Sequence, residues 1–391
     1  MVKLYNILIY FLLFTIVLLL FNRSSRVEKW NGQHKRWNAY AVIAIIILCI
    51  FSAMRASTVG TDTNVYLARY NLALKYDFSQ YFLIIWEKKE IGFAGFVYAI
   101  SKLTSGNTFI FLFTSQLLSV IPIYVVATKN KETCSITHIM FYYLFIFYPM
   151  SFNIIRQAIT AAFLLLAYTE LKDKKKSLAI VFALLSIAFH QSSVLGIILI
   201  FAVIAINSIS DSLVRKLIIM LMICCLALFA VDINGVASYL LSGDGLFGTT
   251  KLASYFSRYQ NGTLGDYLTT IDAFAIGDFV FRILFVLVPL SVTNSKVDRN
   301  LINDYRMFVI ISLLIDTVVV FVFNSSYGFR VTLYLDIMTI VYFAQISHGG
   351  SSKALTVSKS FFVIALMALS YFIYIYIAIS AHDAIPYSIG V

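Results

Sequence analysis

The chain has 391 residues, of which 60% are hydrophobic and 13% charged, and its mean hydropathy is +0.87. Soluble domains are about 45–50% apolar and about 25% charged, so the composition excludes an ordinary soluble domain, a disordered chain and a disulfide scaffold. On a soluble protein the formal charge of +11 would suggest nucleic acid, but here a membrane explanation comes first.

Apolar runs that can cross a membrane recur along the chain. A helix needs about 20 apolar residues to span the hydrocarbon core, and fewer where neighbours or bilayer thinning help. We therefore predict an all-α polytopic membrane protein of about 12–14 transmembrane helices, forming one integral membrane domain over residues 1–391. The runs, two of them short, are 5–21, 38–54, 108–127, 139–151, 154–171, 177–189, 193–209, 217–231, 273–292, 307–323, 330–346 and 360–379.

Two segments between runs, 55–107 and 232–272, are longer than simple connections. Connections are usually about 4–6 residues long, and long loops tend to be functional. Within the first segment, 78–104 is apolar but carries four charged residues at 87–90, which favours an interfacial or re-entrant helix over a plain span.

Basic residues orient the helices. The loops assigned to the cytoplasm hold 18 of the 30 Lys and Arg residues, most densely at 172–176. Since cytoplasmic loops are enriched in Lys and Arg, this assignment places both termini and both long loops on the external face. The positive charge is then a topology signal, and we expect no nucleic-acid partner.

Polar residues on the external face form the candidate site. Arg55 lies at the exit of the second run, and Asp62 precedes a predicted helix that places Tyr66 and Tyr70 one turn apart. Arg55 suits an anionic lipid headgroup, and Asp62 suits proton transfer or acceptor binding. The structural alternatives are a helix N-cap for Asp62 and a snorkelling interface anchor for Arg55.

Glu90 and Arg156 are the next candidates. Glu90 lies next to a glycine and aromatic residues, where a carboxylate can bind a sugar, although pairing with the lysines of 87–90 is the simpler local explanation. Arg156 lies just inside a span with no carboxylate within one helical turn, so we expect it to bind an anion, with a snorkelling anchor as the structural alternative. Asn153 and Gln157 flank it as candidate substrate-binding residues.

His190 and Arg330 occupy further external turns. A histidine in the Phe-His-Gln-Ser turn suits proton transfer near neutral pH, with a hydrogen-bonded cap as the structural alternative. Arg330 opens an inward-going span and shares a helix face with Tyr334 at i+4, whereas Asp336 at i+6 is poorly placed to pair with it.

The second long loop adds Arg258 and Tyr259 as candidate substrate contacts. A loop rich in Tyr, Asn, Asp and Arg is typical of a carbohydrate lid, and an amphipathic helix at 249–260 on the membrane surface is the alternative. No group of His, Cys, Asp or Glu has metal-ligand spacing, so we expect no metal and no cofactor.

Charged residues inside the predicted spans require partners. Asp278 precedes Arg282 by one helical turn, which predicts an internal salt bridge and a structural role for Arg282. Asp316 lies near the middle of a run and must find a partner or a cavity.

Five short motifs follow one another at the external ends of the runs. In sequence order they are Arg55-x4-Gly-Thr-Asp62-Thr-x2-Tyr66, Glu90-x-Gly-Phe, Asn153-x2-Arg156-Gln157, Phe-His190-x-Ser and Phe-Arg330-x3-Tyr334. With this order and topology, residues 38–346 resemble the EpsG-like branch of Wzy-type polymerases, which build O-antigen, capsule or exopolysaccharide. The resemblance implies a C-type glycosyltransferase-like architecture in the bacterial cytoplasmic membrane and an active site on its external face.

The resemblance also implies the reaction. A hydroxyl of one lipid-linked repeat unit would attack C1 of a glycan on polyprenyl diphosphate, and the diphosphate would leave. Arginines bind phosphate oxygens, and Arg156, Arg330, Arg55 and Arg258 are candidates, while His190 or Asp62 would accept the hydroxyl proton. The expected catalytic residues are Asp62, His190, Arg156 and Arg330, and the expected substrate-binding residues are Arg55, Tyr66, Glu90, Asn153, Gln157, Arg258, Tyr259 and Tyr334.

Two other functions are the alternatives. The same residues fit an O-antigen ligase, whereas a flippase or exporter of lipid-linked saccharides predicts a cavity charged on both faces and an internal repeat, and the sequence indicates neither. The expected partners are polyprenyl-diphosphate-linked oligosaccharides and membrane lipids, with a chain-length regulator and a flippase as further candidates.

Overall fold

The computed structural model describes residues 2–31, 37–209, 273–292, 299–321, 328–348 and 359–390. These residues are helical apart from turns and one isolated antiparallel bridge between Arg55 and Ile389. The helices are α1 (Val2–Asn31), α2 (Ala39–Ala53), α3 (Thr63–Leu72), α4 (Phe78–Gln80), α5 (Ile91–Leu103), α6 (Thr108–Lys129), α7 (Ile136–Tyr142), α8 (Ile155–Lys172), α9 (Lys176–Phe189), α10 (Ser193–Ile209), α11 (Ala273–Val292), α12 (Arg299–Phe321), α13 (Gly328–Asp336), α14 (Thr339–His348) and α15 (Lys359–Tyr371).

The described helices include membrane spans, so the chain is an all-α polytopic membrane protein. Four of them are long and apolar enough to cross a membrane: Ile7–Val27, Thr108–Lys129, Ala273–Val292 and Lys359–Ala378. A fifth span is the pair α13 and α14, if the bend of 41° between them lies within one crossing. Five further apolar helices have 10–17 residues. The count of twelve to fourteen crossings stays a prediction.

Apolar runs and helices coincide closely. Each run outside 210–272 falls on helical residues, with 330–346 divided between α13 and α14, and the run 217–231 lies outside the described residues. The stretch 78–104 is broken, because a π-helical turn at Tyr81–Ile85 is followed by left-handed backbone at Glu87, Lys88 and Glu90 before α5 begins. This break brings Glu90 to the N-terminus of α5.

The first long loop has a hydrophobic core of its own. Aromatic residues of the loop, including Tyr66, Trp86 and Phe93, pack with Ile155 at the start of α8 and Phe189 at the end of α9. The loop is therefore anchored to the same ends of α8 and α9 that carry the candidate residues.

A close helix contact fixes the position of α5. A Cβ atom at Gly92 would lie 2.8 Å from Cβ of Ala188 in α9, a distance that only glycine accommodates. The N-terminus of α5, and with it Glu90, is thereby held against the last turn of α9.

Candidate functional site

Glu90 lies at the centre of the candidate site. Its side chain is 1% exposed, and its two oxygens contact different cationic or ionisable groups. Oε1 lies 2.5 Å from Nδ1 of His190, and Oε2 accepts a hydrogen bond from Nη1 of Arg156. The local interpretation is correct for Glu87, which pairs with Lys89 at 2.8 Å, and wrong for Glu90. Glu90 instead joins the ends of α8 and α9.

Arg156 is held in one orientation by this carboxylate and by aromatic rings. Its Nε donates to the hydroxyl of Tyr66 at 3.2 Å, and its guanidinium lies 5.5 Å from the Tyr66 ring and 5.7 Å from the Trp86 ring. The expectation that Arg156 has no nearby carboxylate holds within its own helix only, since Glu90 comes from another helix. The side chain keeps 20% of its surface exposed.

Asp62 and Arg330 form a second, looser arm of the site. Oδ2 of Asp62 lies 3.9 Å from Nη2 of Arg330, and about a third of each side chain is exposed. Asp62 occupies the N-cap position of α3, but its side chain makes no capping hydrogen bond. Its backbone N–H donates to Oδ1 of Asn153 at 2.9 Å. The carboxylate is thus free of the N-cap role and directed towards a cation.

Tyr334 connects the two arms. Its hydroxyl lies 2.6 Å from Oγ of Ser192, two residues after His190, and the Gln157 side chain lies close to it. Tyr334 is one turn beyond Arg330 in α13, so this contact fixes the distance between α13 and the Glu90–His190 pair.

The structure brings together most of the sequence candidates. Asp62, Tyr66, Glu90, Asn153, Arg156, Gln157, His190, Arg330 and Tyr334 are linked by the contacts above. Arg258 and Tyr259 lie outside the described residues, as do the rest of the second long loop and the proposed helix 249–260.

Arg55 is placed differently from the other candidates. Its side chain is buried, and Nη1 donates to the carbonyl and the hydroxyl oxygen of Ser52 at 2.6 and 2.5 Å. The guanidinium also lies 4.8 Å from the Phe152 ring. Burial lowers the pKa of Arg55 to about 10, which leaves it protonated at neutral pH. Arg55 therefore holds the start of the first loop, rather than snorkelling to the interface.

His382 is a site residue that sequence reasoning missed. It lies in a short helical turn at Ala381–Asp383, where Nδ1 is 3.2 Å from Nδ2 of Asn153. Its ring contacts Phe274 and Phe329 at centroid distances of 5.1 and 5.2 Å. The motif order ended before this segment, and a lone histidine near a chain end carries no local signal of its own.

A separate ion cluster lies deeper in the helices. Arg282 contacts Asp278 at 2.7 Å, Asp336 at 2.5 Å and Asp316 at 3.5 Å. The predicted Asp278–Arg282 bridge is confirmed, the partner of Asp316 is Arg282, and Asp336 pairs with Arg282 and not with Arg330. The hydroxyl of Tyr371 donates to Asp278 at 3.0 Å.

The first cluster can perform acid–base chemistry beside an anion site. An ionised carboxylate only accepts hydrogen bonds, so Nδ1 of His190 carries the proton in the contact with an ionised Glu90, and in a neutral ring the basic nitrogen is then Nε2. Arg156 and Arg330 supply fixed positive charge nearby. Among the described residues, no group of three or more His, Cys, Asp or Glu side chains could hold a metal ion.

Comparisons with known proteins identify a family. No significant match was found among curated proteins or among solved structures. A family model, that of the EpsG family, matches residues 38–389. The match includes every residue of the cluster around Glu90 and extends through His382. The chain therefore belongs to the EpsG family.

Proposed function

We propose that the protein polymerises lipid-linked oligosaccharide repeat units on the external face of the membrane. Membership of the EpsG family supports a role as a polysaccharide polymerase. The observation that carries the chemistry is the carboxylate of Glu90, which joins a histidine to an arginine at the ends of two helices.

The reaction forms one glycosidic bond and breaks one glycosyl phosphate bond. Nε2 of His190 accepts the proton of an acceptor hydroxyl as the hydroxyl oxygen attacks C1 of the donor sugar. The bond from C1 to the phosphate oxygen breaks, and polyprenyl diphosphate departs with the electron pair. The proton then passes from His190 to solvent, which restores the starting state.

Arginines stabilise the departing diphosphate. At 4 Å and an effective dielectric near 20, two unit charges attract each other by about 4 kcal/mol. A contact that tightens as charge develops on the leaving group therefore lowers the barrier. Arg156 is pre-oriented by Glu90 and Tyr66, so little side-chain ordering remains to be done when the diphosphate arrives.

The Asp62–Arg330 arm supplies a second contact. An ion pair at 3.9 Å between side chains that are each about a third exposed is weak, so a phosphate oxygen can replace the carboxylate on Arg330. Asp62 is then released to accept a hydrogen bond from a sugar hydroxyl. This exchange couples donor binding to acceptor positioning.

Purified full-length protein in liposomes, supplied with lipid-linked repeat units and no nucleotide sugar, tests the proposal. We expect a ladder of polymer with wild-type protein. We expect single repeat units with Arg156→Ala and with Arg330→Ala, because each loses cationic stabilisation of the diphosphate. Arg23→Ala, which removes an exposed arginine of α1, is the matched control and should leave the ladder intact.

The same assay separates the alternatives. Transport of the repeat unit across the bilayer without polymer would support a flippase. Transfer only to an acceptor that carries no polyprenyl diphosphate would support a ligase. A normal ladder in both arginine variants would contradict the proposed site.

A further inference from the structure

The last residues of the chain lie against the first long loop. We define residues 380–390 as the C-terminal strap. Backbone N–H groups of Ala56 and Gly60 donate to the carbonyls of Ser388 and Asp383 at 2.7 and 2.9 Å, and the N–H of Gly390 donates to the carbonyl of Met54 at 3.0 Å. The strap is thus hydrogen-bonded to both ends of the loop segment 54–60, which leads to Asp62.

The strap also reaches the side chains of the site. Oγ1 of Thr61 donates to Oδ2 of Asp383 at 3.0 Å, one residue before Asp62. His382 has left-handed backbone with φ of 64°, which a residue other than glycine adopts only when its surroundings hold it there. The contacts on each side of His382 provide that restraint.

The hydrogen-bond chain from Asp62 to His382 has one consistent direction. The backbone N–H of Asp62 can only donate, so the atom of Asn153 that receives it is Oδ1. The other amide atom of Asn153 is therefore the NH2 group, which donates to Nδ1 of His382. Nδ1 must be unprotonated, and a neutral imidazole then carries its proton on Nε2.

The surroundings of His382 favour the neutral form. Burial and the nearby Arg330 guanidinium lower the pKa of His382 to about 3. At neutral pH the ring therefore accepts from Asn153 with one nitrogen and takes up no further proton, which separates its role from that of His190.

We propose that His382 is a positioning residue, which fixes the Asn153 amide and through it holds Asp62 beside Arg330. The inference rests on the proposed function for its catalytic consequence, but not for its geometry. Without an acceptor at Nδ1, the Asn153 amide can rotate, and the turn that presents Asp62 loses its side-chain support. The strap is then a part of the site that the chain supplies after its last span.

Nitrogen-15 solid-state NMR of histidine-labelled full-length protein in liposomes tests the geometry. The chain has five histidines, and loss of one signal in His382→Asn assigns the residue. We expect the Nε2–H tautomer of His382 to persist between about pH 5 and 8. In Asn153→Asp the carboxylate cannot donate, so the tautomer should switch to Nδ1–H. An Nδ1–H tautomer or an imidazolium in the wild-type protein would overturn the inference.

Kinetics with purified lipid-linked donor test the consequence. Oδ1 of Asn occupies nearly the place of Nδ1 of His, so His382→Asn should keep kcat within about threefold, whereas His382→Leu should lower kcat roughly tenfold. Equal losses in both variants, or no loss in either, would contradict a positioning role. If wild-type protein makes no polymer, the proposed function fails while the tautomer result still decides the geometry.

Discussion

At the scale of single residues, the main finding is which groups the carboxylate of Glu90 contacts. Its partners Arg156 and His190 are 66 and 100 residues away along the chain. Residue types and span ends identified all three as candidates, but the pairing depends on how α5, α8 and α9 meet. The sequence left two interpretations of this carboxylate, sugar binding or pairing with the neighbouring lysines, whereas in the structure its oxygens contact Arg156 and His190.

Substitution of Glu90 tests this pairing directly. Gln has a single acceptor oxygen, so Glu90→Gln either leaves Arg156 without its partner or turns an N–H group towards His190. We expect kcat for polymer formation to fall about 100-fold, with protein yield retained. Glu87→Gln removes an exposed carboxylate three residues earlier and should change kcat less than twofold, because exposed ion pairs contribute about 0–1 kcal/mol. Equal effects of the two substitutions would exclude a special role for Glu90.

The pair of glycines in α5 decides how closely two helices approach. Gly92 faces Ala188 of α9, whereas a Cβ atom at Gly95 would meet nothing within 4 Å. Both glycines lie in one helix, Gly92 in its first turn and Gly95 three residues further on. They therefore separate the effect of the helix contact from the effect of the glycine itself.

We expect opposite results from the two alanine substitutions. Gly92→Ala should destabilise the protein by about 1–3 kcal/mol, because overpacking forces α5 away from α9, and should lower activity by displacing Glu90. Gly95→Ala should be neutral or stabilising by up to about 1 kcal/mol. Thermal unfolding in detergent and polymer yield measure both effects. If Gly92→Ala melts like the wild type, the proposed contact between α5 and α9 is not close.

For the molecule as a whole, the cluster around Arg282 joins four helices. One guanidinium contacts carboxylates of α11, α12 and α13, and Tyr371 of α15 bonds to one of the three. Arg330 lies in the same short helix as Asp336, so the cluster also holds the helix that carries one arm of the site. The helix that carries Arg330 is thus tied to the ion cluster around Arg282.

Neutralising different members of this cluster should have unequal effects. Arg282→Met leaves three carboxylates without a cation, two of them buried, and should cost about 3–5 kcal/mol. Asp316→Asn removes one of three negative charges around a single positive charge. Of the three carboxylates, Asp316 lies farthest from Arg282, so we expect the variant to be as stable as the wild type or more stable. Protein yield in membranes and the unfolding temperature in detergent measure the difference. A loss of stability in Asp316→Asn as large as that in Arg282→Met would contradict this prediction.

Sequence reasoning predicted the helices well and the site in part. Apolar runs located the helices because a helix that crosses lipid needs apolar side chains along its length, a requirement that acts on local composition. The break at 87–90 was also visible as a charged interruption. The sequence could not indicate that Glu90 contacts Arg156, that Asp336 contacts Arg282 or that His382 contacts Asn153. These contacts depend on packing between segments that are distant in the chain, for which a single sequence carries no periodic signal.

The cluster around Arg282 has a consequence for how the chain enters the membrane. A charged side chain at the centre of a helix disfavours insertion by about 2.5–3.5 kcal/mol. α11 carries Asp278 and Arg282 one turn apart and can insert as a nearly neutral unit. α12 and α13 bring Asp316 and Asp336, and neither carboxylate has a cation one helical turn away in its own helix. α11 is synthesised before α12 and α13. With insertion in that order, Arg282 is in the bilayer before Asp316 and Asp336, the two carboxylates that it pairs with.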